Sequence, residues 1–382
     1  MFGPDGYQRL YERIQYAITG DAHLLVQLRE EVRPLKNYVR PIHPRSTTSV
    51  SLVATDGGSN RVQFDPFLVQ IVRVVDSSEN EHFLDVVTPS TDIIELSKKQ
   101  FSDFGPATPL GYMMDLLHVR TLPELSHMIR VTEKGQPVSP SWIQVYRELV
   151  EWSVLLKLVR EKDFGSDTLI VWDGLLRSKV FAKSLFRRYR ELLLEGIERQ
   201  LRDKKRRIFI VGVAKHSKVL DRYSLALALE DVLTNSFPCY IEVPRELEEK
   251  AYTWSEYARG DDRTLEGITE LNNMVAGKMF LVKFGRHPRD RIWPVDVLIE
   301  QVDQAQTILG YLLADAENGF PIPLYPRSLQ KAHESAAMVD FDFEVLEDYI
   351  HRSIRELVGN RKDVVDILRL QTTNWAKERY QS

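Results

Sequence analysis

Cysteine is nearly absent from this chain: Cys239 is the only one in 382 residues. No intrachain disulfide is then possible, and neither is a zinc or iron–sulfur site built on a cysteine cluster. Metal chemistry would have to use carboxylates and histidines. Long apolar runs are missing too, with no stretch of about 18 residues able to span a bilayer. The start, MFGPDGYQRL, has no basic segment followed by an apolar one, so no secretory signal is expected and the expected location is cytoplasmic. Positive charge is not in excess: the formal net charge is −4, and a nucleic-acid partner would need a local basic patch. Walker A, a GxGxxG after a strand, HExxH and GxSxG are all absent, which removes the commonest nucleotide-binding and hydrolase signatures. The chain shows neither an internal repeat nor a low-complexity segment.

What is present alternates in period. Residues 6–40 carry apolar positions at helical spacing, such as Tyr7, Leu10, Tyr11, Ile14 and Ala17, which predict one or two amphipathic helices. After a Pro/Ser/Thr connection come SLVATDGG, DPFLVQIVRVVDS and EHFLDVVTP. These β-branched runs predict three successive antiparallel strands, and their weak alternation predicts a sheet covered on both faces. Short helical pieces follow from about residue 91, then a long helix from Ser141 to about Arg160, a fourth strand DTLIVWDG, a basic helix over 178–207 and a fifth strand IFIVGVAK. KMFLVKFG and RIWPVDVLI read as further strands, before a helix from about Glu300 to Ala316 and charged helices at the end. The expected fold class is α/β, a mixed sheet of three antiparallel strands and then crossover-linked ones, with helices on both faces. Three parts are expected: a helical segment 1–45, a core 46–340 with an insertion at about 245–275, and carboxy-terminal helices 341–382.

Two aspartates close predicted strands and precede glycine: Asp56 in VATDGGSN and Asp173 in VWDGLL. Either can be an ordinary Asp-Gly turn. Together, at carboxyl ends of strands where ligands of open α/β sheets gather, they are candidate ligands for two hard divalent cations that could hold both oxygens of a phosphodiester displacement. A third carboxylate is expected from the long helix, Glu151 first and Glu148 in reserve, since Glu151 shares a face with Leu155 and Leu158. GVAKHSK places Lys215, His216 and Lys218 after the fifth strand, as phosphate contacts or as a basic loop. Arg177 and Lys179 open a basic run that continues through Arg187, Arg188 and Arg190, to be read as a backbone-binding patch or as a solvated helix face. His333 starts a helix after a Pro-rich loop.

ATDGGS, YRELVEW, VWDGLLRSK, GVAKHSK and GFPIPLYPRSLQKAH occur in this order over nearly the whole chain. In this the sequence resembles the NurA nucleases. The resemblance implies an RNase H-like core, cleavage of single- and double-stranded DNA with Mn²⁺ or Mg²⁺ (two ions), 5′-to-3′ exonuclease action, a homodimer and no membrane. It also implies a partnership with a HerA-type hexameric ATPase that translocates DNA, in end processing or phage defence. Residue by residue it places Asp56, Asp173, Glu151 and His333 around the metals, and Lys215 matches a lysine of the family. The first motif departs from the family's Asp-Gly-Ser by a second glycine. Two other readings stay open, an actin-like or sugar-kinase-type ATPase, which would need two similar halves, and a non-catalytic partner subunit of a DNA translocase.

Overall fold

The computed structural model describes residues 4–45, 48–54, 61–64, 67–252, 264–265, 268–269, 274–338 and 340–359. Asp56 and the carboxy-terminal residues from 360 on lie outside the described residues, as does most of the expected insertion.

One ten-stranded mixed sheet organises the chain. Its strands are β1 (Arg40–Pro41), β2 (Thr48–Ala54), β3 (Arg61–Phe64), β4 (Phe67–Asp76), β5 (Glu81–Val87), β6 (Thr168–Asp173), β7 (Ile208–Val213), β8 (Cys239–Glu242), β9 (Gly277–Lys283) and β10 (Ile292–Leu298). The spatial order is β1-β8-β9-β10-β7-β6-β2-β4-β3, with β5 also on β4. Strands β2, β4 and β5 pair antiparallel, as expected, whereas β6 runs parallel to both β2 and β7.

Helices α1 (Pro4–Gly20) and α2 (Ala22–Val32) precede the sheet. Between β5 and β6 come α3 (Ile93–Lys98), α4 (Pro109–Leu116), α5 (Leu122–Leu125) and the long α6 (Trp142–Glu161). Crossover helix α7 (Leu185–Lys204) joins β6 to β7. The remaining helices are α8 (Lys218–Leu229), α9 (Arg245–Ala251), α10 (Ala305–Ala316), α11 (Arg327–Ala336) and α12 (Asp340–Val358). None of the described helices is long and apolar enough to cross a membrane.

The central strands are apolar throughout because both faces are covered. In β6, Ile170 and Trp172 join the core under α6 and α7, while Leu169 and Val171 join the opposite core under α10 and α11. A period of two then carries no polar alternation. The edge departs from the expected full cover: Leu84 and Val86 of β5 are 56% exposed. The basic helix starts later than expected, at Leu185 and not Ser178, because Arg177 and Ser178 are drawn into contacts with distant elements. The helical amino-terminal segment is tied down, since α2 packs on α8 and Arg40–Pro41 pairs with β8.

Candidate active site

The site is built where α6 crosses the carboxyl end of β6. Val145, Leu149, Trp152, Leu155 and Leu156 of α6 are buried against the sheet. Trp152 and Trp172, each next in sequence to an acidic residue, stack with centroids 4.3 Å apart. The Trp152 carbonyl also accepts a hydrogen bond from the Tyr189 hydroxyl at 2.9 Å. These contacts fix Glu151 on the helix relative to Asp173 at the strand end. Both line one cavity of 570 Å³, together with Glu148, Arg147, Lys179 and His216.

Glycine shapes the turn after the strand. Gly174 has φ of +137°, a conformation that a residue with Cβ rarely adopts. On the neighbouring strand, a Cβ at Gly212 would stand 2.4 Å from the Gly174 carbonyl oxygen. The close approach lets the Gly174 amide donate to the Val213 carbonyl at 3.0 Å, which holds the turn against β7.

The two helix carboxylates differ in their partners. Glu148 Oε1 accepts from the Ser178 hydroxyl at 2.6 Å and from Trp152 Nε1 at 3.4 Å. Burial raises its pKa, and these hydrogen bonds oppose the rise. Glu151 lies 3.4 Å from Arg147 Nε. Burial pushes its carboxyl up to about 8; Arg147 opposes this, and the carboxylates of Glu148 and Asp173 add to it. So Glu148 braces the segment after Asp173, while Glu151 carries a proton that burial and like charge hold in place.

Asp173 has two further neighbours. Lys215 Nζ is 3.6 Å from its Oδ2, and the Tyr325 hydroxyl donates to its Oδ1 at 3.3 Å. Tyr325 is 2% exposed, and burial with the adjacent carboxylate keeps its phenol well above the ordinary value. Gln330 holds the loop that delivers Tyr325: its side chain accepts from Ile322 N at 2.7 Å and donates to the carbonyls of Ile322 and Tyr325, each at 2.9 Å. Sequence reasoning missed Tyr325, which sits inside the Pro-rich loop from which only His333 was singled out.

Of the expected cations, Lys179 and His216 are exposed and line the cavity, and Lys218 is exposed at the start of α8. Arg177 requires a correction, because its side chain is fully enclosed. The guanidinium donates to Asp296 Oδ2 at 2.9 Å, to Asp296 Oδ1 at 3.0 Å and to Glu248 Oε2 at 2.6 Å, and the Leu176 amide joins at Asp296 Oδ2 at 3.1 Å. A cation so paired anchors the turn after Asp173 and does not meet a DNA backbone. Further along the run, Arg187 and Arg188 pair with Glu191 on a solvated helix face, whereas Arg190 is buried against Glu300. His333 is exposed on α11, which packs on β2 and β4, and it does not line the cavity.

Glu148, Glu151 and Asp173 are all oxygen donors suited to a hard cation. Among the described residues, no three side chains of metal-ligating type converge as a ready metal site. Asp56, the remaining candidate, follows the end of β2 by two residues, and β2 runs parallel beside β6. A comparison with models of known protein families gives no match, nor does a comparison with curated proteins.

Proposed function

We propose that this protein is a metal-dependent deoxyribonuclease with an RNase H-like core, of the kind its resemblance to the NurA nucleases implies. The observation that carries the reading is the shared cavity of Glu151 and Asp173, in which burial and neighbouring carboxylates push Glu151 up to about 8. Acid so concentrated is accommodated by the raised pKa of Glu151 and by Arg147 and Lys215 beside the carboxylates, and a divalent cation would take the place of the Glu151 proton. The strand order β5-β4-β2-β6-β7, antiparallel and then parallel, supports the fold assignment.

Asp173, Glu151 and Asp56 are the residues proposed to hold Mn²⁺ or Mg²⁺. Bound there, two such ions would supply a Lewis acid for the phosphodiester and an activated water. Tyr325 and Lys215 hold Asp173 in place, the first by a hydrogen bond and the second by its positive charge. Lys179 and His216 face the same cavity and would hold the strand by its phosphates, a mode of binding that does not select base sequence. His333 keeps its proposed place near the metals through the resemblance alone. A homodimer and a HerA-type ATPase are the proposed partners, for which α1 offers exposed Tyr7, Tyr11, Tyr16 and Ile18.

The test is digestion of end-labelled linear DNA in Mn²⁺, Mg²⁺ or EDTA, with and without a HerA-type partner. The wild type should cleave only with metal, and Asp56→Asn, Glu151→Gln and Asp173→Asn should each lose at least a hundredfold while melting like folded protein. Absence of cleavage under every condition, or full activity of Asp173→Asn, would sink the proposal.

A further inference from the structure

A second cavity, of 430 Å³, opens beside the first and is lined by His127, Met128, Arg130, Val138, Ser139 and Ser141. Met128 and Ser141 line both, so the two spaces are direct neighbours that share a wall. Their chemistry differs: the first mixes Glu148, Glu151 and Asp173 with Arg147 and Lys179, whereas no carboxylate lines the second. Its charged groups are cationic or can become so. Arg130 is exposed, and His127 Nδ1 lies 3.1 Å from the Phe181 carbonyl oxygen. A carbonyl only accepts, so that nitrogen carries the hydrogen and Nε2 is the basic one. Beside these, Met128 is 40% and Val138 60% exposed, leaving apolar surface within the same space.

The walls of this second cavity are built. Residues 130–138 form a tight hairpin in which Val138 N donates to the Arg130 carbonyl at 2.9 Å and Thr132 N to that of Gln136 at 2.8 Å. Its turn, with Gly135 at φ of +77°, is tied to the start of α3 by a bond from Ile93 N to the Gly135 carbonyl at 3.1 Å. On the other side, the Ala182 amide donates to Leu125 at 2.8 Å, and His127 reaches Phe181.

We infer that this second cavity is a subsite for single-stranded nucleic acid, taking the nucleotide that flanks the scissile phosphate, and that Arg130 is the residue that binds its phosphate. The inference rests on the nuclease reading of the first cavity. A strand leaving a metal centre walled by carboxylates needs positive charge for its next phosphate and an apolar surface for its base, and Arg130 with Met128 and Val138 supplies both. A space of 430 Å³ is of the size of one nucleotide, and on this inference an unpaired end is the substrate that fills it.

The experiment uses the full chain and compares wild type, Arg130→Glu, Arg130→Ala and Asp173→Asn with Lys134→Glu, a change of the same charge at the exposed hairpin tip. Binding of a fluorescein-labelled twelve-residue oligothymidylate is read by polarisation in EDTA over a salt series. Cleavage of the same oligonucleotide, of a thymidine dinucleotide and of a blunt duplex is read in Mn²⁺, with thermal melting as the check on folding. Arg130→Glu should weaken oligothymidylate binding about tenfold, lower the salt slope by about one and raise KM with kcat unchanged. Arg130→Ala should fall between, and dinucleotide cleavage and the Lys134→Glu protein should match wild type. Equal behaviour of Arg130→Glu and Lys134→Glu on the oligonucleotide overturns the subsite, and an equal loss on blunt duplex overturns its selectivity for single strands. Should the wild type fail to cleave, or Asp173→Asn retain activity, the nuclease reading itself fails, an outcome separate from the behaviour of Arg130.

Discussion

Glu151 offers the most demanding quantitative test. Its carboxyl titrates at about 8 in the folded chain against an ordinary value of 4.5. Burial is the leading cause, with Glu148 and Asp173 adding repulsion and Arg147 opposing both. Because the folded state holds the proton more tightly than the unfolded chain, this group's contribution to stability is full below pH 4.5 and is lost as pH rises to 8. At about 1.4 kcal/mol per pH unit, the whole window amounts to on the order of 5 kcal/mol, of which about 3 kcal/mol is lost by pH 7. Glu151→Gln keeps the side-chain shape and removes the titration. In EDTA its melting temperature should exceed that of wild type by roughly 5 °C or more at pH 8.5, and the two should converge toward pH 4.5. On the proposed metal reading, a Glu151 carboxylate that ligates Mn²⁺ would have to give up its proton, so wild type at pH 7 should release about one more proton on binding than the variant does. Calorimetry in two buffers of different protonation enthalpy measures that release. An unchanged dependence of stability on pH in Glu151→Gln would refute the reasoning.

Three further outcomes are expected. Arg177→Ala removes the guanidinium that pairs with enclosed Asp296 and Glu248 and should cost about 3–5 kcal/mol in denaturant unfolding; Arg177→Lys should recover only part, because lysine cannot reproduce the paired donation to Asp296. Gly212→Ala places a Cβ 2.4 Å from the Gly174 carbonyl, and the displaced turn should lower DNA cleavage about a hundredfold in a chain that still folds. Asp76 is fully buried; burial alone would raise its pKa, but hydrogen bonds from His82, Asn80 and Ser78 hold it well below the usual carboxylate range. Its stabilising contribution is present above its ordinary value of 3.8 and is lost as pH falls from there, so the stability gap between wild type and Asp76→Ala should narrow in acid melts.

The parts of the fold legible in the sequence are those with local causes. Helix α6 shows a helical period and β6 a β-branched run ending in Asp-Gly, and the structure has them at Trp142–Glu161 and Thr168–Asp173. Helix α8, at Lys218–Leu229, is not among the elements expected from the sequence, although Val219, Tyr223, Ala226 and Leu227 stand at helical spacing. Strand β8 is not legible. Its four residues follow one proline closely and precede another, and they form a strand because β9 and β1 pair on either side. Nor could the basic run after Asp173 disclose that Arg177 is internal. Its carboxylates come from 71 and 119 residues further along the chain. Tyr325 has no periodic signature, and only the packing of its loop under Gln330 brings it to Asp173.

The long separation of those anchors sets a timetable. The cavity's carboxylates and cations, from Arg147 to His216, lie within one contiguous stretch of chain. The groups that fix the turn after Asp173 come later: Asp296 from β10, and Tyr325 after α10. At a synthesis rate of roughly 10 residues per second, the acidic cavity would leave the ribosome about ten seconds before Tyr325 does. On the nuclease reading, the growing chain therefore carries hydrolytic side chains that are not yet held in place. On that reading the site is complete only once Asp296 and Tyr325 have been made, a delay set by the order of the chain.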